Sequence, residues 1–195
     1  DIVLLAGGTP VILECNEKQS FKINPLELEK YITKKTKWII LNSPSNPTGA
    51  CYSEKDIKEI GKILEKHPHV FILSDDIYEH VTYGNFKFFT IAQIDNLKER
   101  VLTMNGVSKA YSMTGWRIGY AAGPKDIIKA IAKIQYQSTT NHSSISQAAA
   151  VEALNGVQDF IKDRANSFQE RRDFVVNALN EIKGIECLNP DGAFY

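Results

Sequence analysis

The chain has 195 residues, which is enough for one sizeable domain with a hydrophobic core. Its 23 basic and 23 acidic residues balance, so composition gives no attraction to nucleic acid or to an acidic membrane surface. No apolar run approaches the length of a membrane span. We therefore expect no nucleic acid or membrane partner, and no signal peptide.

The three cysteines, Cys15, Cys51 and Cys187, are far apart in the sequence. They form no pair with metal-site spacing, and their odd number does not indicate a disulfide framework. We therefore expect no metal site and a reducing, cytoplasmic compartment.

The first part of the chain predicts two short strands and a helix. The apolar runs Ile2–Leu5 and Val11–Leu13 are interpreted as strands separated by a glycine-rich turn. Asn24 followed by Pro25 is typical of a helix start, and the helix is expected to continue through Tyr31.

The middle of the chain alternates apolar runs with an amphipathic run. The amphipathic run predicts a helix that begins after Ser53 and stops before Pro68. The apolar run Trp38–Leu41 is uninterrupted, which is typical of a strand in a sheet covered on both faces. Four strands are predicted, at Trp38–Leu41, Val70–Leu73, Val101–Met104 and Ile118–Ala122.

The last part predicts helices over about 125–136 and 146–154, a long helix over about 158–182, and the start of a strand at Ile185–Leu188. Alternating strands and helices predict an α/β fold, with a mainly parallel sheet flanked by helices. We expect residues 1–157 to form part of a large domain. Residues 158–195 are expected to form a long connecting helix and the start of a small C-terminal domain.

Polar residues follow three of the predicted strands at the points where those strands end. In open α/β sheets, ligands bind beyond the carboxyl ends of the strands, so we expect these side chains to converge on one crevice. The candidate site residues are Asn46 after the strand Trp38–Leu41, Asp75 and Tyr78 after the strand Val70–Leu73, and Ser108, Lys109 and Arg117 after the strand Val101–Met104.

This set of residue types fits pyridoxal 5′-phosphate (PLP). A desolvated Lys109 amine can form a Schiff base with the cofactor's aldehyde. An Asp75 carboxylate would keep the pyridine nitrogen protonated. Tyr78 and Asn46 can bond the phenolic oxygen of the ring, and Arg117 with Ser108 can hold the phosphate.

Each candidate also has a structural interpretation. Taken alone, Lys109 could be a surface lysine and Asp75 a loop acid. Asn46 could belong only to a turn, Tyr78 to the core, Arg117 to a structural ion pair and Ser108 to a tight turn. We expect the neighbouring Asp76 to face outward, with no role at the ring.

Three segments together resemble the class I and II aminotransferases of PLP fold type I. They are SNPTG at Ser45–Gly49, SDDIY at Ser74–Tyr78 and GVSKAYSMTGWRIG at Gly106–Gly119. The resemblance covers nearly the whole chain. It is closest to bacterial aspartate aminotransferases of the subgroup that includes aspartate/prephenate enzymes.

The resemblance implies a role for each matching residue. Lys109 corresponds to the catalytic Schiff-base lysine, and Asp75 to the partner of the pyridine nitrogen. Tyr78 and Asn46 match the groups at the phenolic oxygen, and Asn46 also matches a substrate-carboxylate contact. Arg117 matches the phosphate arginine. The resemblance further implies a homodimer with its active sites at the subunit interface.

The chain departs from the family pattern at Gly106, where many relatives have a serine whose hydroxyl binds phosphate. The family's N-terminal phosphate loop, ring-stacking aromatic residue and substrate-carboxylate arginine have no match here; Arg164, Arg171 and Arg172 do not fit that last role. The sequence also stops in the apolar run Ala193–Tyr195. We therefore expect a fragment that is inactive alone.

The function implied is transamination between an amino acid, aspartate, and a 2-oxo acid, 2-oxoglutarate. One alternative is a different PLP enzyme of the same fold, either a lyase or decarboxylase or an aromatic or prephenate aminotransferase. Another is a non-enzymatic, aminotransferase-like regulatory domain. The non-enzymatic alternative is disfavoured by the joint presence of all five matching residues, Lys109, Asp75, Tyr78, Asn46 and Arg117.

Overall fold

The computed structural model describes residues 1–195 and has one four-stranded sheet and six α-helices. The strands are β1 (Trp38–Asn42), β2 (Phe71–Asp75), β3 (Val101–Gly106) and β4 (Gly119–Ala122). The helices are α1 (Ile2–Leu5), α2 (Pro25–Tyr31), α3 (Glu54–Glu65), α4 (Lys125–Ser138), α5 (Ser144–Asn155) and α6 (Asp159–Asn180).

The strands lie in the order β1-β2-β3-β4. β1, β2 and β3 are parallel, whereas β4 runs antiparallel to β3. A parallel connection needs a crossover long enough to return the chain to the start of the sheet, and α3 supplies one between β1 and β2. No helix of that length lies between β3 and β4. The predicted mainly parallel α/β sheet is confirmed.

Three strand predictions were wrong. Ile2–Leu5 forms α1 instead of a strand, and Val11–Leu13 and Ile185–Leu188 have no regular structure. Short apolar runs do not distinguish a strand from a helix by periodicity, and a strand also needs a neighbour to pair with. None of these three runs pairs with the sheet.

α3 matches its sequence signature closely. The Ser53 hydroxyl accepts a hydrogen bond from the Asp56 amide at 3.2 Å, and the Asp56 carboxylate accepts one from the Ser53 amide at 2.9 Å. This reciprocal capping box satisfies two amides that the first helical turn leaves free. Ile57, Ile60 and Leu64 then face the sheet and are buried.

The core lies between α3 and one face of the sheet. Ile72 on β2 is fully buried there, and Val101 on β3 is 2% exposed. On the opposite face, Trp38 and Ile40 of β1 are 40% and 48% exposed. The expectation that β1 is covered on both faces was therefore wrong for this chain, which places α3 on only one of them.

Arg100 closes the carboxyl end of α3. Its guanidinium donates to the carbonyl oxygens of Leu64 at 2.5 Å, Val70 at 2.6 Å and His67 at 3.0 Å. A helix leaves its last carbonyl oxygens without intrahelical partners, so this side chain satisfies acceptors of the helix end and of the turn that leads to β2.

Residues 191–193 return to the sheet region after the long helix α6. Gly192 N donates to Gly49 O at 3.0 Å, and Ala193 N donates to Val81 O at 2.8 Å. Gly49 has φ +67°, and a Cβ on Gly192 would lie 2.7 Å from Val81 O. The two segments approach so closely that both positions require glycine. An isolated antiparallel bridge also joins Thr82 to Gly192.

None of the helices combines the length and the apolar character needed to cross a lipid bilayer.

Candidate active site

The ends of β1 and β2 are joined by the side chain of Asn42. Its amide donates to Asp75 O at 3.2 Å, and its carbonyl oxygen accepts from Asn46 N at 2.8 Å. The parallel register places Asn42 beside Asp75 at the carboxyl edge of the sheet. The loop that carries Asn46 is therefore fixed against the strand that carries Asp75.

Asn46 and Tyr78 meet at a third residue, Tyr195. The Asn46 Nδ2 donates to the Tyr195 hydroxyl at 3.1 Å, and the hydroxyls of Tyr78 and Tyr195 lie 2.9 Å apart. The Tyr78 ring also packs edge-on against Phe194, with centroids 5.4 Å apart. These contacts bring the β1 loop, the β2 loop and the end of the chain to one point.

Lys109 points at the same aromatic group. Its Nζ lies 5.7 Å from the centroid of the Tyr78 ring and 5.3 Å from that of Phe194. The Phe194 ring also stacks on the ring of Phe168 in α6, with centroids 5.3 Å apart. The Lys109 amine therefore lies over the rings of Tyr78 and Phe194, which belong to the same cluster as Tyr195.

The Tyr78 phenol remains protonated at neutral pH. Burial raises the pKa of Tyr78 above its ordinary value, and Tyr195 and the Asp75 carboxylate act in the same direction. A hydrogen bond from Asn46 opposes them without reversing the shift. Tyr78 can therefore donate a hydrogen bond to an acceptor placed near Lys109.

The two adjacent carboxylates, Asp75 and Asp76, have different environments. Asp75 is half-buried at the end of β2, and its oxygen accepts from the Ile77 amide at 3.3 Å. Asp76 is 3% exposed and accepts from the Ser74 hydroxyl at 2.7 Å. The expectation that Asp76 faces outward was wrong, since its carboxylate is turned into the core. Burial raises the pKa of both acids.

Ser108 and Arg117 are not joined to the other candidates by a hydrogen bond or ion pair. Arg117 has φ +56°, and its guanidinium donates to Thr114 O in its own turn at 2.9 Å. A guanidinium has five N–H donors, so most of them stay available after this contact.

The chain departs from the family pattern at Gly106, and close contacts within the sheet explain why glycine is found there. A Cβ at this position would lie 2.9 Å from Ile118 O and 3.1 Å from Gly119 Cα. Any side chain would therefore push β4 away from β3, and the Lys109 turn begins at this same point.

Sequence reasoning missed Phe194 and Tyr195 as members of this cluster. They are separated from Asn46 by most of the chain, and the contact with Tyr195 joins residues 149 positions apart. An aromatic pair directly after Pro190–Ala193 was the only signal. The arginines of α6 make other contacts: Arg164 donates to Ser112 Oγ at 3.0 Å, and Arg172 donates to Pro190 O.

Comparison with known proteins identifies the family. The model of the aminotransferase class I and II family matches residues 1–195. The chain is 58% identical to a probable aspartate/prephenate aminotransferase of Rickettsia bellii, and the match covers all of this chain and 49% of that protein. The chain belongs to the class I and II aminotransferase family.

Solved structures agree with this assignment. The crystal structure of the aspartate aminotransferase from Rhizobium meliloti superposes with a TM-score of 0.97 at 55% identity, covering 98% of this chain and 48% of that one. An aromatic aminotransferase from Pyrococcus horikoshii superposes with a TM-score of 0.93 at 39% identity, covering 98% and 51%. The chain thus spans about half the length of the relatives it matches.

Members of this family depend on pyridoxal 5′-phosphate. The residues present fit that group, because two side chains able to hold a phenolic oxygen already share one, the hydroxyl of Tyr195. The Lys109 amine lies beside the same rings. The donor set therefore matches an aromatic ligand that carries a phenol and an aldehyde.

Proposed function

We propose that the intact protein is a PLP-dependent aminotransferase that moves an amino group between aspartate and 2-oxoglutarate. The observation that carries the proposal is the meeting of Asn46 and Tyr78 at one phenolic oxygen, with the Lys109 amine over the Tyr78 ring. The names of the relatives from Rickettsia and Rhizobium support the choice of aspartate.

The chain's residues divide the work of holding the cofactor. Asn46 and Tyr78 bond its phenolic oxygen, and Asp75 pairs with its pyridine nitrogen. Burial raises the pKa of Asp75. The positive charge of a protonated pyridine nitrogen next to Asp75 would lower that pKa and so favour the carboxylate. The free N–H groups of Arg117 bind the phosphate together with Ser108.

Lys109 has two roles in the proposed reaction. Its amine would hold the cofactor by its aldehyde. When bound, pyridoxal 5′-phosphate would supply an electron sink for charge that develops at the substrate's α-carbon. The unattached Lys109 amine would carry the proton to and from that carbon. Asn46 also contacts the substrate carboxylate.

Replacing Lys109 with alanine in the intact protein tests the proposal. Turnover of aspartate with 2-oxoglutarate should fall by about 10⁴-fold or more, since both the attachment and the proton transfer are lost. Borohydride reduction followed by peptide mass analysis should find the cofactor on residue 109 only in the unmutated protein. Lys133→Ala, which removes an exposed amine on α4, should change neither result.

Persistence of turnover in Lys109→Ala would show that the assignment of Lys109 is wrong. Product analysis separates transamination from the other reactions of this fold. Glutamate and oxaloacetate are the expected products, whereas release of carbon dioxide or loss of the substrate side chain would instead establish a decarboxylase or lyase.

We also infer the organisation of the intact protein. Residues 1–157 belong to a large PLP-binding domain, and residues 158–195 connect it to a small C-terminal domain. The family supports a homodimer, and the three unpaired cysteines support the cytoplasm. Light scattering of the intact protein tests the dimer.

The 195-residue chain alone is proposed to be inactive, because it spans about half of its relatives. Turnover by the purified chain would contradict this.

A further inference from the structure

The last two residues of β3, Asn105 and Gly106, extend beyond the end of β2. The parallel register ends where Asp75 pairs with Met104, so Asn105 and Gly106 pair only with β4. Lys109 follows in the turn that begins directly after β3. The start of the Lys109 turn therefore has no strand neighbour on the side of β2.

Side chains take the place of that missing strand pairing. The Gly106 amide donates to Asn105 Oδ1 at 2.7 Å, which fixes the orientation of the Asn105 side chain because an N–H can only donate. Asn105 Nδ2 in turn donates to Glu79 Oε1 at 2.5 Å. Glu79 directly follows Tyr78 in the sequence. This path of hydrogen bonds, from Glu79 through Asn105 to Gly106, joins the Tyr78 segment to the start of the Lys109 turn.

The Glu79 carboxylate lies near the Lys109 turn and is mostly buried. Its side chain is 29% exposed, and His80 Nε2 lies 3.5 Å from the same Oε1 that accepts from Asn105. Burial raises the pKa of Tyr111 in the Lys109 turn, and the Glu79 charge acts in the same direction. Hydrogen bonds to an ionised acceptor are roughly twice as strong as those between neutral groups. The bond between Glu79 and Asn105 is therefore the stronger member of the path.

We propose that Glu79 is a positioning residue for Lys109. By holding Asn105, it fixes the Gly106 amide and sets the position of the Lys109 turn relative to Tyr78. The Lys109 Nζ lies 5.7 Å from the centroid of the Tyr78 ring, and this spacing depends on the path. Glu79 acts through Asn105 and does not touch the reacting atoms. The inference rests on the proposed function, because it takes Lys109 to be the group that reacts with the cofactor.

Two substitutions of Glu79 in the intact protein separate the hydrogen bond from the rest of the side chain. Glu79→Ala breaks the path, whereas Glu79→Gln keeps an oxygen that accepts from the Asn105 amide. Glu99→Ala is the matched control, since it removes an exposed carboxylate just before β3.

The first measurement is hydrogen exchange of the Gly106 amide in protein freed of cofactor, resolved to single residues by NMR. In Glu79→Ala the Asn105 side chain loses its anchor, so exchange of this amide should become about tenfold faster. Glu79→Gln should change the exchange rate by less than about threefold. Glu99→Ala should match the unmutated protein.

The second measurement separates kcat from KM for aspartate. A displaced Lys109 amine slows the reaction more than it weakens substrate binding, so kcat should fall about tenfold in Glu79→Ala while KM changes less than about twofold. Glu79→Gln should retain most of kcat. Ser53→Ala controls for lost stability, because it weakens α3 without touching the path. Its kcat should equal that of the unmutated protein.

Asn105→Ala removes the middle of the path and should reproduce both effects. In an Asn105→Ala background, Glu79→Ala should cause no further change, since the two side chains act through one path. Asn105→Ala also tests the inference if Glu79→Ala does not fold.

Unchanged Gly106 exchange in Glu79→Ala would overturn the inference, because the path would then not hold that amide. Faster exchange with an unchanged kcat would overturn it too, since Lys109 would be positioned by other contacts. An equal loss of kcat in Glu79→Gln would assign the effect to charge instead of the hydrogen bond. An equal loss in Ser53→Ala would assign it to stability alone.

The outcome for the proposed function is read separately. If the unmutated protein does not attach the cofactor at Lys109, the proposed function fails and the role of Glu79 fails with it. If attachment occurs and Glu79→Ala behaves like Glu99→Ala, only the role of Glu79 is wrong.

Discussion

The region from α2 to β3 and the helical region from α4 to α6 are held in different ways. The first contains the twelve-residue cluster between the sheet and α3, in which Ile72 and Leu64 are fully buried. In the second, neither α4 nor α6 contains a buried residue, and Phe174 of α6 is 75% exposed. Stability within this chain therefore resides in contacts between distant residues of the first region.

Apolar side chains of α3 are buried against the sheet, whereas those of α4 and α6 remain at least partly exposed in this chain. Isolated helices are marginal in water, and most helical stability in proteins comes from packing of an apolar face. α3 has that packing, whereas the backbone hydrogen bonds of α4 and α6 are largely local. Substitutions should therefore have unequal effects in the two regions, and the following variants of the 195-residue chain measure the inequality.

The largest effect is expected for Ile72→Ala. Removing this fully buried side chain from the centre of the sheet should lower the free energy of unfolding by about 3 kcal/mol, because transfer and cavity costs add. Denaturant unfolding followed by circular dichroism measures the change. A loss below about 1 kcal/mol would show that the cluster around α3 is not the stabilising core.

Arg100→Met should have the next largest effect. It leaves the carbonyl oxygens of Leu64, His67 and Val70 without their shared donor, at a cost of about 2 kcal/mol. Denaturant midpoints compare it with Arg100→Lys, which keeps one ammonium donor and should lose less. Equal stability of Arg100→Met and the unmutated chain would contradict the capping role.

Ser53→Ala removes one half of the capping box of α3. The Asp56 amide loses its acceptor, and the expected loss is about 1 kcal/mol. Ser53→Asp, which restores an acceptor at the same position, is the matched comparison in the same thermal unfolding measurement. If both variants unfold alike, the cap does not contribute.

Asp76→Asn should change the pH dependence of stability. Burial raises the folded-state pKa of Asp76 above its unfolded value, although Ser74 and Thr90 hydrogen bonds oppose the shift. The folded chain then binds more protons between the two values, so stability falls as pH rises through that window. Denaturant unfolding at a series of pH values should show a shallower fall in Asp76→Asn. Asp75, which shifts in the same direction, should account for part of the remaining slope.

The smallest effect is expected for Phe174→Ala on α6. Its side chain is 75% exposed, so the free energy of unfolding should change by less than about 0.5 kcal/mol. The comparison with Ile72→Ala uses the same denaturant titration. A loss as large as that of Ile72→Ala would mean that the helical region carries its own core.

The elements predicted correctly are those whose sequences carry more than one signal. α3 combined a cap, an apolar face and a following Pro68, and β1 to β3 were apolar runs that end in turn residues. Ile2–Leu5 and Ile185–Leu188 carried only a short apolar run, and strand formation depends on a partner that local sequence does not name. Pairing was therefore the information that the sequence lacked.

The candidate site was predictable to a similar degree. The ends of parallel strands meet at one edge, so the convergence of Asn46, Tyr78 and Lys109 followed from strand order. The inward position of Asp76 continues the alternation of β2, in which Ile72 and Ser74 are also buried, so the sequence contained this signal although we interpreted Asp76 as a loop residue. The contact of Tyr195 with Asn46 depends on the path of α6, which no local pattern in the sequence describes.

The link between Asn46 and Tyr195 also bears on synthesis by the ribosome. The two residues are 149 positions apart, and translation adds about 5–20 residues per second, so Asn46 emerges roughly 7 to 30 seconds before Tyr195. During that interval the loop between β1 and α3 lacks Tyr195, the last of its hydrogen-bonding partners to be synthesised. The nascent chain therefore completes this cluster only at a late stage of translation.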